Sequence, residues 1–278
     1  MLTPLRPRTA QGVEGLTALL DDPQRSLIAL DFDGTLAPIV EDPEQARAHP
    51  RAVPALVRLV AHVGTVAILT GRPALDAVRY AGVSDVPELS GLVVLGHYGA
   101  HRWAAETGQQ SAPPPPEGVA TARAALPEVL AAAGAPAGTH VEDKGNALGV
   151  HVRRTDDPVA ALELLREPLT ALAARTGLVL EPGRMVLEIR PPGMDKGAAL
   201  RALVQERAAR AVLFAGDDLG DLAAYDAVQG MRAEGVAGLL VCSASAEVKE
   251  LAERADLVVD GPGGVVDLLE ALAVAFSR

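Results

Sequence analysis

Residues 27–36 read LIALDFDGTL. Residues 27–30 are apolar without alternation, the pattern of a strand buried on both faces, as in a parallel sheet. The run ends in Asp31 and Asp33. Ligands of open parallel sheets bind beyond the carboxyl ends of the strands, so both carboxylates are expected at the functional edge. A turn or a helix cap accounts for one aspartate, but not for a second charge two residues away and against the core. A calcium loop is excluded, because it needs a ligand at Thr35, glycine at Leu36 and glutamate at Asp42. Two close carboxylates that stay ionised call for a cation.

Outward from this stretch, short apolar runs alternate with helical periodicity. Residues 66–69, 92–95, 211–215, 238–242 and 257–259 read as further buried strands. Residues 50–61, 73–80, 196–210 and about 247–254 read as helices. Such alternation predicts an α/β fold with a parallel, Rossmann-like sheet covered on both faces. The middle breaks the rhythm. After Trp103 a polar stretch ends in Pro113, Pro114, Pro115 and Pro116 and reads as a stiff connector. Residues 139–144 and 148–153 then alternate polar with apolar around Gly145 and Asn146, as in a hairpin with one face open to solvent. A helix over 158–175 and strands at 178–180 and 185–189, turning at Pro182 and Gly183, complete a small unit. The expected organisation is a discontinuous core, 1–102 and 193–278, with a smaller α/β cap inserted at 103–192. The first 25 residues are expected only to pack a helix on the core.

The composition narrows the function. With 278 residues, 49% apolar and 22% charged, the chain is that of a folded globular protein. A net charge of −11 argues against nucleic acid as partner, since phosphate-backbone binding depends on a basic face. The single cysteine, Cys242, excludes an internal disulfide and cysteine-rich zinc sites. The start carries Arg6 and Arg8 without an apolar run behind them, and no stretch is long enough for a membrane helix. A cytoplasmic protein, a monomer with no membrane partner, is the default expectation. There is no Walker-type loop, no complete dinucleotide fingerprint, no G-x-S-x-G elbow and no H-E-x-x-H.

Two further strand ends carry chemistry. Residues 66–70 end in Thr70, followed by Gly71 and Arg72: a hydroxyl, backbone amides near a helix start and a guanidinium, which together suit an anion. Residues 211–221, AVLFAGDDLGD, end in Asp217 and Asp218 with Asp221 one turn on. Carboxylates so close repel one another without a divalent cation, and hard cations such as Mg²⁺ take oxygen ligands. Of the 25 basic residues only Lys144, Lys196 and Lys249 are lysines, so Lys196 at a helix start stands out against an arginine background.

In this order, Asp31-Phe32-Asp33-Gly34-Thr35, Thr70-Gly71-Arg72, Asp195-Lys196-Gly197 and Gly216-Asp217-Asp218 resemble the four motifs of the haloacid dehalogenase superfamily, and the insertion resembles its α/β cap. Further residues look most like the trehalose-6-phosphate phosphatase family: Gly96-His97-Tyr98-Gly99-Ala100, Glu142-x-Lys144, His151-x-Arg153 and Glu188-x-Arg190-Pro191. The likeness spans about residues 27–227. It departs in the fourth motif, where Gly220 stands for threonine and Leu222 for glutamate.

The resemblance implies a phosphatase acting on trehalose 6-phosphate in trehalose biosynthesis. It implies Asp31 as nucleophile, Asp33 as general acid and base, and Lys196 as the third catalytic residue. Asp31, Asp33 through its carbonyl, Asp217 and Asp218 would hold Mg²⁺. Gly34, Thr70, Gly71 and Arg72 would bind the phosphoryl group; His97, Glu142, Lys144, His151, Arg153 and Glu188 would bind the rest of a sugar phosphate. Competing readings are a capped phosphatase for sucrose phosphate or mannosyl phosphoglycerate, a phosphosugar mutase, and a non-catalytic sugar-phosphate sensor.

Overall fold

The structure is a computed structural model that describes residues 5–183, 185–244 and 249–277. In chain order it contains α1 (Ala10–Asp21), β1 (Ser26–Leu30), α2 (Ala52–Val60), β2 (Thr65–Leu69), α3 (Ala74–Ala81), β3 (Leu92–Gly96), β4 (His101–Ala104) and β5 (Gln109–Ser111). Then come α4 (Glu117–Ala132), β6 (His140–Asp143), β7 (Leu148–His151), α5 (Pro158–Arg175), β8 (Val179–Gly183) and β9 (Val186–Arg190). The chain closes with α6 (Lys196–Glu206), β10 (Ala211–Gly216), α7 (Leu222–Ala233), β11 (Ala237–Ser243), α8 (Lys249–Arg254), β12 (Leu257–Val259) and α9 (Gly261–Phe276). Two compact units result: residues 1–112 with 195–278, and residues 113–194.

The larger unit is built on a sheet of order β12-β11-β10-β1-β2-β3-β4-β5, parallel from β12 to β3. Every residue of β1 is buried, because both faces are covered. Ile28 and Leu30 enter one core with residues of α2 and α9; Leu27 and Ala29 enter another with residues of α6 and α7. This division follows from the two-residue repeat of a strand. From β1 the chain steps outward through β2 and β3, then returns to the other side of β1 as β10. Strand order therefore reverses between β1 and β10, and at such a switch point the loops leaving the two strands part and open a crevice. Asp31 and Asp217 lie at the ends of these two strands.

The N-terminal segment is tied to the core. Thr9 caps α1 by accepting from the Gly12 N–H, and α1 lies along β11. Buried Asp256 holds this corner: it accepts from the Thr9 hydroxyl, from the Arg232 guanidinium and, at 2.7 Å, from the Leu240 N–H.

Several local expectations are corrected. Residues 103–111 are no connector: β4 and β5 form a hairpin extending the large sheet antiparallel to β3, with Trp103 buried. The polar Gln109–Ser111 strand is exposed and carries no apolar signal; it is held by backbone pairing at a sheet edge. The large unit accordingly runs to residue 112. Helix α4 escapes a periodicity search because it is alanine-rich and contains Pro127, yet it buries Val119, Ala122, Leu126 and Leu130 along one side. Pro182 and Gly183 belong to β8, paired with Leu187 and Val186. The helix expected from Glu247 is described from Lys249 onward; Glu247 lies outside the described residues.

The smaller unit is a four-stranded antiparallel sheet, β6-β7-β9-β8. Leu148, Val150, Leu187 and Ile189 bury one face together with residues of α4 and α5. The other face is polar, and on it Glu142, Gly149, Glu188 and Glu181 stand opposite one another in a row. Among the described residues no helix is long and apolar enough to cross a membrane.

Candidate active site

Past β1, the Asp31 N–H donates to the Ala215 carbonyl at 2.9 Å, so parallel pairing carries Asp31 to the sheet edge in a buried position. Lys196 arrives from another direction. Asp195 caps α6 by accepting from the Ala198 N–H, which starts the helix and points Lys196 into the same place. The Lys196 ammonium donates to Asp31 Oδ1 at 2.6 Å and to Asp221 Oδ1 at 2.7 Å. Asp221 is fully buried, and its second oxygen accepts from the backbone N–H groups of Asp217 (2.9 Å) and Asp218 (3.2 Å).

Charge is out of balance here. Asp31, Asp217, Asp218 and Asp221 surround one ammonium. Burial pushes Asp217 up to about 8, helped by the nearby charges of Asp221 and Asp218. Burial likewise raises Asp31 well above the ordinary carboxylate range against the pull of Lys196. Burial alone would lower Lys196, but the carboxylates of Asp221 and Asp31 outweigh it and hold the lysine firmly protonated. One oxygen each from Asp31, Asp217 and Asp221 lie within 4.8 Å of one another, and among the described residues Asp217 Oδ1 is buried without a hydrogen-bond partner. A hard divalent cation such as Mg²⁺ fits this all-oxygen donor set.

The expected metal set includes Asp218; the carboxylate oxygens that lie together come from Asp31, Asp217 and Asp221. Asp218 Oδ1 accepts from the Gly220 N–H at 2.9 Å and caps the short turn after β10, while Asp221, one turn on, swings its carboxylate inward. Spacing along the chain marks both residues; only the turn decides which faces the cluster. The Asp33 side chain, which is not expected on the metal, is engaged elsewhere. Its two oxygens accept from Arg72 Nε (2.6 Å) and Nη2 (2.7 Å) in a two-pronged ion pair.

Arg72 in turn lies over the rings of Tyr80 and Phe32. Thr70 is buried, its hydroxyl accepting from the Arg72 N–H at 3.1 Å. The Thr70 and Arg72 carbonyls accept from the Tyr98 and His97 N–H groups, so the loop after β3 braces the loop after β2. The Tyr98 ring covers Gly71. His97 is buried and its ring packs 4.4 Å from that of His101. Gly34 adopts a left-handed φ of 78°, and a Cβ there would collide with the Asp217 carboxylate. Only glycine allows this loop to lie against that group.

In the smaller unit, His151 Nε2 and Glu142 Oε2 are 2.7 Å apart, and the Lys144 ammonium donates to Glu188. Arg190 approaches Glu181 and Glu188 at 3.6 and 3.8 Å. Glu142, Lys144, His151 and Glu188 thus gather on the polar sheet face. Arg153 does not join them through strand alternation, because β7 ends at His151 and Arg153 lies in the exposed turn beyond.

A parallel sheet with the Asp31, Asp217, Asp221 and Lys196 cluster at its switch point, and a separate α/β insertion, make up the haloacid-dehalogenase-like fold. The chain resembles a haloacid dehalogenase-like hydrolase from Bacteroides thetaiotaomicron at a TM-score of 0.60, with 18% identity over 88% of this chain and 98% of that one. The C-terminal domain of a Candida albicans trehalose-6-phosphate phosphatase superposes at 0.77, with 20% identity over 98% and 99%. The family model described as Trehalose-phosphatase matches residues 29–260, and the chain belongs to that family. A trehalose-phosphate phosphatase of Mycolicibacterium paratuberculosis is 30% identical over 96% of this chain. The chain spans 66% of the length of that relative.

Proposed function

We propose that the chain hydrolyses trehalose 6-phosphate to trehalose and phosphate through an aspartyl phosphate on Asp31. The observation that carries this reading is the buried Asp31, Lys196, Asp221 and Asp217 cluster, set in a chain of the trehalose-phosphatase family. A phosphate ester and a carboxylate repel, so catalysis lies mainly in positioning and charge neutralisation. Asp31, Asp217 and Asp221 would hold Mg²⁺, which when bound neutralises charge on the phosphoryl oxygens.

Lys196 orients the Asp31 carboxylate for attack on phosphorus. The P–O bond to the sugar breaks, and Asp33 gives its proton to the departing oxygen. In the second half Asp33 takes a proton from water, the water oxygen attacks phosphorus, and phosphate leaves with Asp31 regenerated. Arg72 occupies both Asp33 oxygens, so it must release one of them for each transfer. Thr70 and the backbone N–H of Gly71 bind phosphoryl oxygens, while the Gly34 N–H, already given to the Ala37 carbonyl, shapes the loop instead. The polar face carrying Glu142, Lys144, His151 and Glu188 selects among sugars, since carboxylates and cations suit a polyhydroxylated ligand. The altered fourth motif leaves the cluster's hydrogen bonds intact: Gly220 donates only its backbone N–H to Asp218, and Leu222 packs on the core.

The test is phosphate release with Mg²⁺ from trehalose 6-phosphate beside sucrose 6-phosphate, glucose 6-phosphate and mannosyl phosphoglycerate, for wild type and Asp31→Asn. Preference for the first ester, lost in the variant, is the expected result. Preference for another ester overturns the substrate assignment. Binding without turnover of any ester favours the sensor.

A further inference from the structure

Ser243 belongs to none of the four motifs. It is the last residue of β11, a strand otherwise composed of Ala, Gly, Leu, Leu, Val and Cys, and it is fully buried. Its hydroxyl donates to the Gly34 carbonyl at 2.6 Å. Strand register explains why this bond matters. Cys242 stands beside Gly216 of β10, which sets Ser243 level with Asp217. β11 and β1 flank β10 on opposite sides. The loop leaving β1 therefore crosses over the end of β10 to reach Ser243, and Asp217 emerges beneath it.

The crossing is held at both ends. On the β1 side the Phe32 carbonyl accepts from the Leu36 and Ala37 N–H groups, and the Gly34 N–H donates to the Ala37 carbonyl at 2.7 Å. On the far side the described hydrogen bond is that of Ser243. Between them Gly34 presses against the Asp217 carboxylate. A buried carbonyl that loses its donor must turn toward another one or toward water. Rotation of the Gly34 peptide would move the surface against which Asp217 rests, and with it the spacing between Asp217 and Asp31.

We propose that Ser243 is a positioning residue whose hydroxyl latches this loop across β10 and so sets the Asp31 to Asp217 spacing on which divalent-cation binding and phosphoryl transfer depend. The inference rests on the phosphatase reading above. Residues that orient metal ligands from behind typically change affinity or activity about 10–100-fold.

The experiment compares wild type with Ser243→Ala, Ser243→Cys and Ser243→Thr. Mg²⁺ affinity is read by titration calorimetry, kcat and KM on trehalose 6-phosphate, and the melting temperature by calorimetry. Ala and Cys are expected to weaken Mg²⁺ binding and lower kcat, each about tenfold, at unchanged KM; Thr, which keeps a hydroxyl, recovers both. Wild-type Mg²⁺ affinity and kcat in the Ala and Cys variants overturn the proposal, even where the melting temperature falls. A Thr variant as impaired as Ala also overturns it, by assigning the loss to packing. A wild type that neither binds Mg²⁺ nor turns over removes the phosphatase reading and this inference with it.

Discussion

Asp217→Asn is expected to make the metal-free protein more stable while abolishing Mg²⁺ binding. The Asp217 carboxylate is buried, has one oxygen without a hydrogen-bond partner among the described residues, and sits at about 8 against an ordinary 3.8. A carboxylate raised by folding binds its proton more tightly in the folded chain. Its contribution to stability is full below about pH 3.8 and is lost as pH rises to about 8. Each pH unit between those two values is worth about 1.4 kcal/mol, so the loss across the interval is on the order of 5 kcal/mol. Asparagine carries no charge at any pH and escapes it. At about 2–4 °C per kcal/mol for a chain of this size, the variant gains roughly 10–20 °C in melting temperature at pH 8.5 and almost nothing at pH 4. Calorimetric melting of chelator-treated wild type and variant at both pH values checks this. Added Mg²⁺ is expected to raise the wild type alone, by about 2.7 kcal/mol at a hundred times its dissociation constant. A variant that melts at or below wild type at pH 8.5 without metal would refute the claim that Asp217 carries uncompensated buried charge.

Two other substitutions probe the neighbouring contacts. Lys196→Met removes the ammonium that bonds Asp31 and Asp221; breaking a buried pair from one side costs about 3–5 kcal/mol. Urea unfolding at pH 8 should show that loss, shrinking as pH falls and the carboxylates take up protons, and phosphate release should vanish. Gly149→Val tests the smaller unit. A Cβ there would lie 3.1 Å from His151 Nε2 and crowd the ring that reaches Glu142. We expect a higher KM for trehalose 6-phosphate with kcat held, whereas an unchanged KM would remove that pair from sugar recognition.

Much of this protein is legible along the chain because the signals are local. An unbroken apolar run such as residues 27–30 can lie only between two covering layers, and a carboxylate at its end can only face the sheet edge. Alternation over 148–151 reports one wet face. Where the determining partner is a neighbouring strand, the signal vanishes: Gln109–Ser111 are polar and exposed, and they become a strand through the backbone of β4. Alanine-rich α4 hides its buried stripe in the same way.

The site divides along the same line. From sequence alone follow the buried strands, the carboxylates and lysine at their ends, and the family motifs, since each depends on residue type and short spacing. Tertiary structure alone decided that Asp221 rather than Asp218 turns toward Lys196, that Arg72 holds Asp33, and that Ser243 fastens Gly34 above Asp217. Those outcomes depend on strand order and register, which bring together groups up to 209 residues apart, and on the local turn geometry that aims a carboxylate. Neither leaves a trace in the spacing of residues along the chain.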